Sequence, residues 1–276
     1  GRDVFQLSNS FKNTYGNAIL NLRWNHLFSD KLFSNLSLIY SDYYYGLKLD
    51  FIGLNWESGI KNFNLKYDFK HYLTDKIKLT YGIHENYYEF NPGKVTPTGE
   101  DSSINPDQLD KKYALESAVY IDAEHQITDN IALSFGLRLS SFLRLGLQTL
   151  NTYENNQPVI FNSEFSIYES AEPIATVHYR KNQTIAKFDN LEPRFAVSYA
   201  INDDQSVKAS YNRMSQYLHL ISNTQSPTPL DVWAPSDQYL KPQLLDQVAL
   251  GYFRNFRNDA YSLETEVFFK KIKNRV

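Results

Sequence analysis

The 276-residue chain has no cysteine, which excludes both disulfides and thiolate metal sites. It also lacks any apolar run near the roughly 18 residues that a spanning helix needs, and its mean hydropathy is -0.48. A helical membrane protein is therefore excluded, whereas a strand-built one is not, because alternation dilutes hydropathy. The net charge of -3 provides no excess of cations for nucleic acid, and no nucleic-acid partner is expected. The opening "GRDVFQLSNSF" has no basic start followed by an apolar core, so the chain is expected to begin inside a longer protein.

Catalytic patterns are missing too. There is no GxSxG and no phosphate-cradling glycine-rich loop. "HENYY" at His84–Tyr88 starts like a zincin helix, but Tyr88 stands where the second His is needed. The six histidines, His26, His71, His84, His125, His178 and His219, have no ligand-like spacing. The expectation is a protein that is not an enzyme, with no metal site and no cofactor.

What is present is aromatic and alternating. Tyr (21) and Phe (18) raise the aromatic share to 15%, which suits strands. Short turn signals sit between alternating arms: "FSDK" at Phe28–Lys31, "LTDK" at Leu73–Lys76, "ITDN" at Ile127–Asn130, "INDD" at Ile201–Asp204 and "RNDA" at Arg257–Ala260. Asp and Asn favour such turns because they tolerate left-handed backbone and bond their own main chain. The arms run Ile131, Leu133, Phe135, Leu137, Leu139, or Phe195, Val197, Tyr199, Ile201, with polar or small residues between. The pattern predicts five hairpins and about ten strands.

The connections between hairpins are expected to be long, at 46–56, 91–111, 146–192 and 214–243. Strict alternation of short and long connections is the arrangement of an antiparallel up-and-down transmembrane β-barrel, with short periplasmic turns and long extracellular loops. The charged residues agree, since Lys78, Arg138 and Lys208 fall on the polar faces, where turning to lipid would cost about 2–4 kcal/mol each at the midplane. A soluble β-sandwich alternates as well, and periodicity alone does not separate lipid from core.

Four stretches carry a family likeness: "LEPRFAVSYAI" at 191–201, "SVKASYNRMSQYLHL" at 206–220, "TPLDVWAPSDQYLKPQ" at 228–243 and "YSLETEVFFKKIKN" at 261–274. They resemble the barrel of TonB-dependent receptors, the energised outer-membrane importers of Gram-negative bacteria, and within them the type with a carboxypeptidase-regulatory-like domain. The resemblance implies an all-β chain forming part of a 22-stranded barrel in the bacterial outer membrane. It implies uptake of a scarce nutrient such as a siderophore, oligosaccharide or peptide. The implied partners are outer-membrane lipid, the TonB complex acting through a plug, and a possible surface lipoprotein. The whole of 1–276 is then a partial barrel, with the plug and the C-terminal strands outside it; "KKIKNRV" lacks the aromatic that ends the family's last strand. The alternatives are a smaller barrel that displays binding or adhesion loops without transport, and a soluble extracellular β domain.

On this reading function lies in the loops and lumen. The substrate-binding candidates are aromatic and polar groups where strands meet loops: Tyr44, Trp56, Tyr87, Tyr88, Tyr217, His219, Asp231 and Trp233. Aromatic faces suit sugars or planar chelates, and Asp and His can orient them. Membrane-interface or loop-packing aromatics are the competing explanation. On the polar faces Arg23, Lys66, Lys78, Arg138 and Lys208 are offset by Asp68, Glu116, Asp122, Glu264 and Glu266, so no lopsided ring of anion-selective charge is expected.

Overall fold

A computed structural model describes residues 2–8, 11–99, 103–221, 232–257 and 260–275, with backbone alone at 2–8, 11 and 51. The strands in chain order are β1 (Arg2–Ser8), β2 (Phe11–Ser29), β3 (Leu32–Leu49), β4 (Leu54–Thr74), β5 (Ile77–Pro97) and β6 (Asp107–Gln108). Next come β7 (Lys112–Thr128), β8 (Ile131–Leu145), β9 (Gln148–Thr152), β10 (Val159–Asn162), β11 (Ile167–Ser170) and β12 (Ala175–Tyr179). The remainder are β13 (Thr184–Asn202), β14 (Gln205–Gln216), β15 (Leu218–Ile221), β16 (Val232–Pro235), β17 (Gln243–Phe256) and β18 (Tyr261–Lys273).

Eleven of them form one antiparallel wall in the order β1-β2-β3-β4-β5-β7-β8-β13-β14-β17-β18, with β6 added beside β5. Among the described residues β1 and β18 are its two edges, so the sheet is open. The ten expected strands are all present. The eleventh, β1, escaped notice because in "RDVFQLS" the alternation is confined to Phe5 and Leu7.

Each turn signal closes a hairpin. Asp30–Lys31, Asp75–Lys76, Asp129–Asn130 and Asp203–Asp204 are the tight turns, and β17 and β18 flank the fifth. Side chains help to cap these corners, as where Thr128 Oγ1 accepts from the Asn130 and Ile131 amides at 3.3 and 3.1 Å.

The opposite ends depart from expectation. There is no long loop over 46–56: β3 and β4 pair as far as Leu49 and Leu54, and only the one-turn 3-10 helix Asp50–Ile52 and Gly53 join them. Gly53 sits at φ 67°, a left-handed conformation that costs glycine little. Likewise β5 extends through Pro97, and the span 146–192 contains the hairpins β9/β12 and β10/β11 before β13 begins at Thr184. Polar Asn, Lys and Glu residues masked these extensions, because outside lipid a strand need not keep an apolar face.

Register fixes the two faces of the wall. The row Leu22, Leu38, Leu65 and the row Leu20, Tyr40, Phe63, Tyr87, Leu115 run side by side on one face. That face is uncovered: Leu22 stands 60% exposed, Phe135 50% and Val267 70%. In water so extensive an apolar surface would drive association; against hydrocarbon it is the expected solvent contact. From Ile131 to Leu143 the outward residues of β8, at about 3.4 Å per residue and a tilt near 40°, are long enough to cross an apolar band of about 25 Å. No helix is long and apolar enough to cross a membrane among the described residues. The buried clusters lie instead on the other, inner face near the loops, one around Phe90, Ala114, Phe142 and Tyr217 and one around Leu47, Leu49 and Trp56.

Candidate functional site

The inner face carries the charge. Lys66, Asp68, Tyr120, Asp122, Arg138 and Arg194 border a cavity of about 670 Å³ on it. Two glycines let side chains reach past an intervening strand. Asp68, Gly82 and Tyr120 form one row, and the Tyr120 hydroxyl donates to Asp68 across the bare Gly82. Asp122, Gly136 and Arg194 form another, and Arg194 Nε lies 3.3 Å from Asp122 Oδ1 across Gly136. A Cβ on either glycine would collide with these groups, which is the close-approach role of glycine within a strand.

Above them Arg138 Nη2 lies 3.2 Å from His84 Nδ1 and 3.5 Å from Glu116 Oε1. Tyr88 donates to the other Glu116 oxygen at 3.3 Å. Asn64 and Asn86 meet the far side of the same imidazole at 2.6 and 3.1 Å. The "HENYY" segment is thus a strand with His84, Asn86 and Tyr88 inward and Glu85 and Tyr87 outward, not a zincin helix. Cations and carboxylates alternate in ion pairs, Lys66–Asp68 at 3.2 Å and Lys78–Glu124 at 2.7 Å included. The expected mixed character of the wall is what the geometry shows.

The connection from β14 to β17 turns inward. Its hairpin β15/β16 contacts β4, β5 and β7, although β8 and β13 separate β14 from them in the sheet. Tyr217 lies flat on Phe142, with ring centroids 4.8 Å apart and planes at 4°. Asn190 Nδ2 donates to the Tyr217 hydroxyl at 2.8 Å, Ser140 Oγ is 2.7 Å from it, and Ser140 in turn donates to Glu192. Trp233 packs on this cluster, and Val232 packs against the Leu47–Leu49–Trp56 cluster. The Ser236 amide donates to the Tyr217 carbonyl at 2.7 Å. His219, 1% exposed, has Nε2 2.9 Å from Ser236 Oγ while Nδ1 has no hydrogen-bond partner. Burial holds its imidazole below the ordinary value of 6.5, so it is neutral at pH 7. A further tie joins two loops: Tyr239 donates to the Asn151 carbonyl at 2.9 Å, and its ring meets Tyr153 edge-on.

Beneath the hairpin lies a cavity of about 620 Å³, bordered by Tyr88, Glu116, Gln216, Tyr217, Trp233 and Gln243. The structure therefore brings together three of the sequence-derived candidates, Tyr88, Tyr217 and Trp233. His219 and Trp56 are buried as supports of the same hairpin. Tyr44 and Tyr87 point the other way: Tyr87 shares the outward row with Phe63 and Leu115, and Tyr44, 37% exposed, lies over Gly16 on that face. Both therefore lie on the outward face, away from the cavity. Asp231 lies outside the described residues. Glu116 and the amides of Gln216 and Gln243 were missed as candidates; their signal in the sequence was only inward parity, shared with many polar residues.

A family model described as TonB dependent receptor-like, beta-barrel matches residues 1–276. The chain belongs to that family. Its members are receptors and transporters of the bacterial outer membrane rather than enzymes. Among solved structures, the wall is similar to that of the hemophore receptor HasR of Serratia marcescens, a double mutant in complex with its hemophore HasA and heme. The TM-score is 0.62 at 11% identity, over 99% of this chain and 42% of that one. The siderophore receptor PiuA of Acinetobacter baumannii gives a TM-score of 0.59 at 13% identity, covering 94% and 40% respectively. The ferric yersiniabactin uptake receptor FyuA of Yersinia pestis gives 0.58 at 13%, covering 95% and 36%. These likenesses are of fold, and the chain spans less than half the length of each neighbour. No curated protein matches the sequence.

Proposed function

We propose that the chain is part of the barrel wall of a TonB-dependent importer that takes up a scarce nutrient, its substrate held where the inward hairpin meets the inner wall. The observation that carries this reading is the hairpin itself. A barrel that only displays loops outward has no need to seat Trp233 and Tyr217 on the inner wall above a cavity bordered by Glu116 and two glutamines. Flat aromatic faces beside amides and a carboxylate suit a compact polar solute.

On the same reading a plug fills the lumen of a 22-stranded barrel, transmits the pull of the TonB complex, and meets the charged inner wall. The carboxypeptidase-regulatory-like domain and a surface lipoprotein partner rest on the resemblance of the sequence alone.

The test uses the full-length gene. Its deletion should abolish growth on one nutrient class in a panel of ferric siderophores, haem, oligosaccharides, peptides and cobalamin supplied as sole scarce source. Restoration by the wild-type gene but only weakly by Trp233→Ala, with equal amounts of folded protein in the outer membrane, is the expected result. Unimpaired growth of the deletion strain on every nutrient, or a full-length sequence without a plug, would overturn the transport reading.

A further inference from the structure

The inner wall carries a second ordered feature, beside the cavity beneath the hairpin. Register continues the row of Glu116 across Asn86, Asn64, Ile39 and Asn21. The row of Tyr88 continues across Asn62, Ser41 and Ile19. From β5 back to β2 no side chain in either row is charged. Amides and hydroxyls alternate with aliphatic groups instead. Ile39 stands between Asn21 and Asn64, and Ile19, 63% exposed, borders Ser41. Charge resumes in the next row toward the tight turns, with Arg23 and with Lys66 in its pair with Asp68.

These amides are held in place and keep hydrogen-bonding capacity for a solute. Asn62 and Asn64 both donate to the Asn86 oxygen, the first at 3.4 Å, and the Asn64 and Asn86 amides meet His84. The side-chain oxygens of Asn62 and Asn64 accept no hydrogen bond among the described residues. Ser41 donates to Asn17 at 3.0 Å. Exposed Asn21 makes no side-chain hydrogen bond among the described residues. From Glu116 on β7 to Asn21 on β2 the row crosses four strand spacings, roughly 19 Å at about 4.8 Å each. The cavity holds one compact unit, and the shelf beside it has room for further units linked to the first.

We propose, resting on the transport reading of the same cavity, that the solute is an uncharged oligosaccharide whose first unit sits beneath Trp233 and whose following units lie along this shelf. Sugars carry hydroxyls that both donate and accept, which suits amides offering an oxygen and an NH₂. Their C–H faces suit the aliphatic groups between, Ile39 and Ile19. The two rows match other nutrients poorly. A ferric siderophore or haem with ionised acid groups, or a peptide with charged termini, finds no counter-charge along them. A plug surface seated on the shelf would instead shield it from solute, and the dependence of affinity on chain length decides between the two.

The full-length protein, purified in detergent, would be titrated calorimetrically with glucose-, xylose- and mannose-based oligosaccharides of two to five units. In one series affinity should rise about tenfold from the shortest to the longest. The Asn21→Leu/Asn62→Leu double variant should remove that gain, whereas Ser198→Leu, inward on β13 away from the shelf, should keep it. Heat-modifiable gel mobility would confirm that each variant is folded. A gain unchanged in the double variant, an equal fall for short and long sugars, or no binding in any series would each overturn the inference. Growth separates it from the transport reading. Loss of growth of the deletion strain on a siderophore, haem or a peptide, but on no oligosaccharide, would overturn the sugar assignment alone. Unimpaired growth on every nutrient would overturn both.

Discussion

Tyr217 shows how one hydroxyl fixes a loop. Its oxygen accepts from Asn190 and meets Ser140, which leans on Glu192. Tyr217→Phe keeps the stack on Phe142 and strands those partners, at a cost of about 1–3 kcal/mol. Faster amide hydrogen exchange across β15 and β16, with unchanged exchange in β13 and β14, would show that loss. His219 adds a pH dependence. Its value is lowered in the folded loop by burial, with Asp237 opposing, so protonation favours the undocked hairpin. The docking is complete above the unfolded value of about 6.5 and weakens as pH falls below it. Exchange in β15 and β16 measured at pH 7.5 and pH 5 should accelerate at the lower pH, and His219→Gln should flatten that response. These residues were legible only in part. Tyr217, His219 and Trp233 stood out as aromatic or titratable groups beside a long loop. Tyr44 and Tyr87 stood out equally, and only register placed them on the lipid side.

At the scale of the strand, two glycines decide what can meet across the wall. Gly136 lies between Asp122 and Arg194, and a Cβ there would collide with the Asp122 carboxylate. Gly136→Val should break the ion pair and overpack the row, for about 1–3 kcal/mol. A lower midpoint of unfolding in urea for the full-length protein in lipid vesicles is the expected readout. A midpoint equal to the wild type would show that the bridge contributes nothing. The strand itself was plain in the sequence, because β8 alternates from Ile131 to Leu139 without a break. Its bridges were not, because Asp122, Gly136 and Arg194 are brought together by pairing of distant segments.

At the scale of the whole wall, the assignment of faces is the claim that matters most. Leu137 sits midway along the outward row of β8, and Ser134 on the inner face borders a lumenal cavity. Leu137→Arg should destabilise the protein in vesicles by about 2–4 kcal/mol, and Ser134→Arg by much less. Similar losses for both variants would contradict the assignment. The inward charges Lys78, Arg138 and Arg194 obey the same rule, since all are paired with carboxylates away from lipid.

The sequence by itself determined the hairpins, the tight turns and the existence of one apolar and one polar face. Those properties follow from a period of two and from the turn chemistry of Asp and Asn, both local. The tertiary structure decided the rest. It showed the apolar face uncovered, shortened the connection between β3 and β4 to one turn, and folded the β14–β17 connection inward onto Phe90 and Phe142. Each of these depends on which strands lie side by side and in what register. That is a contest among contacts between residues tens of positions apart, which no local pattern records.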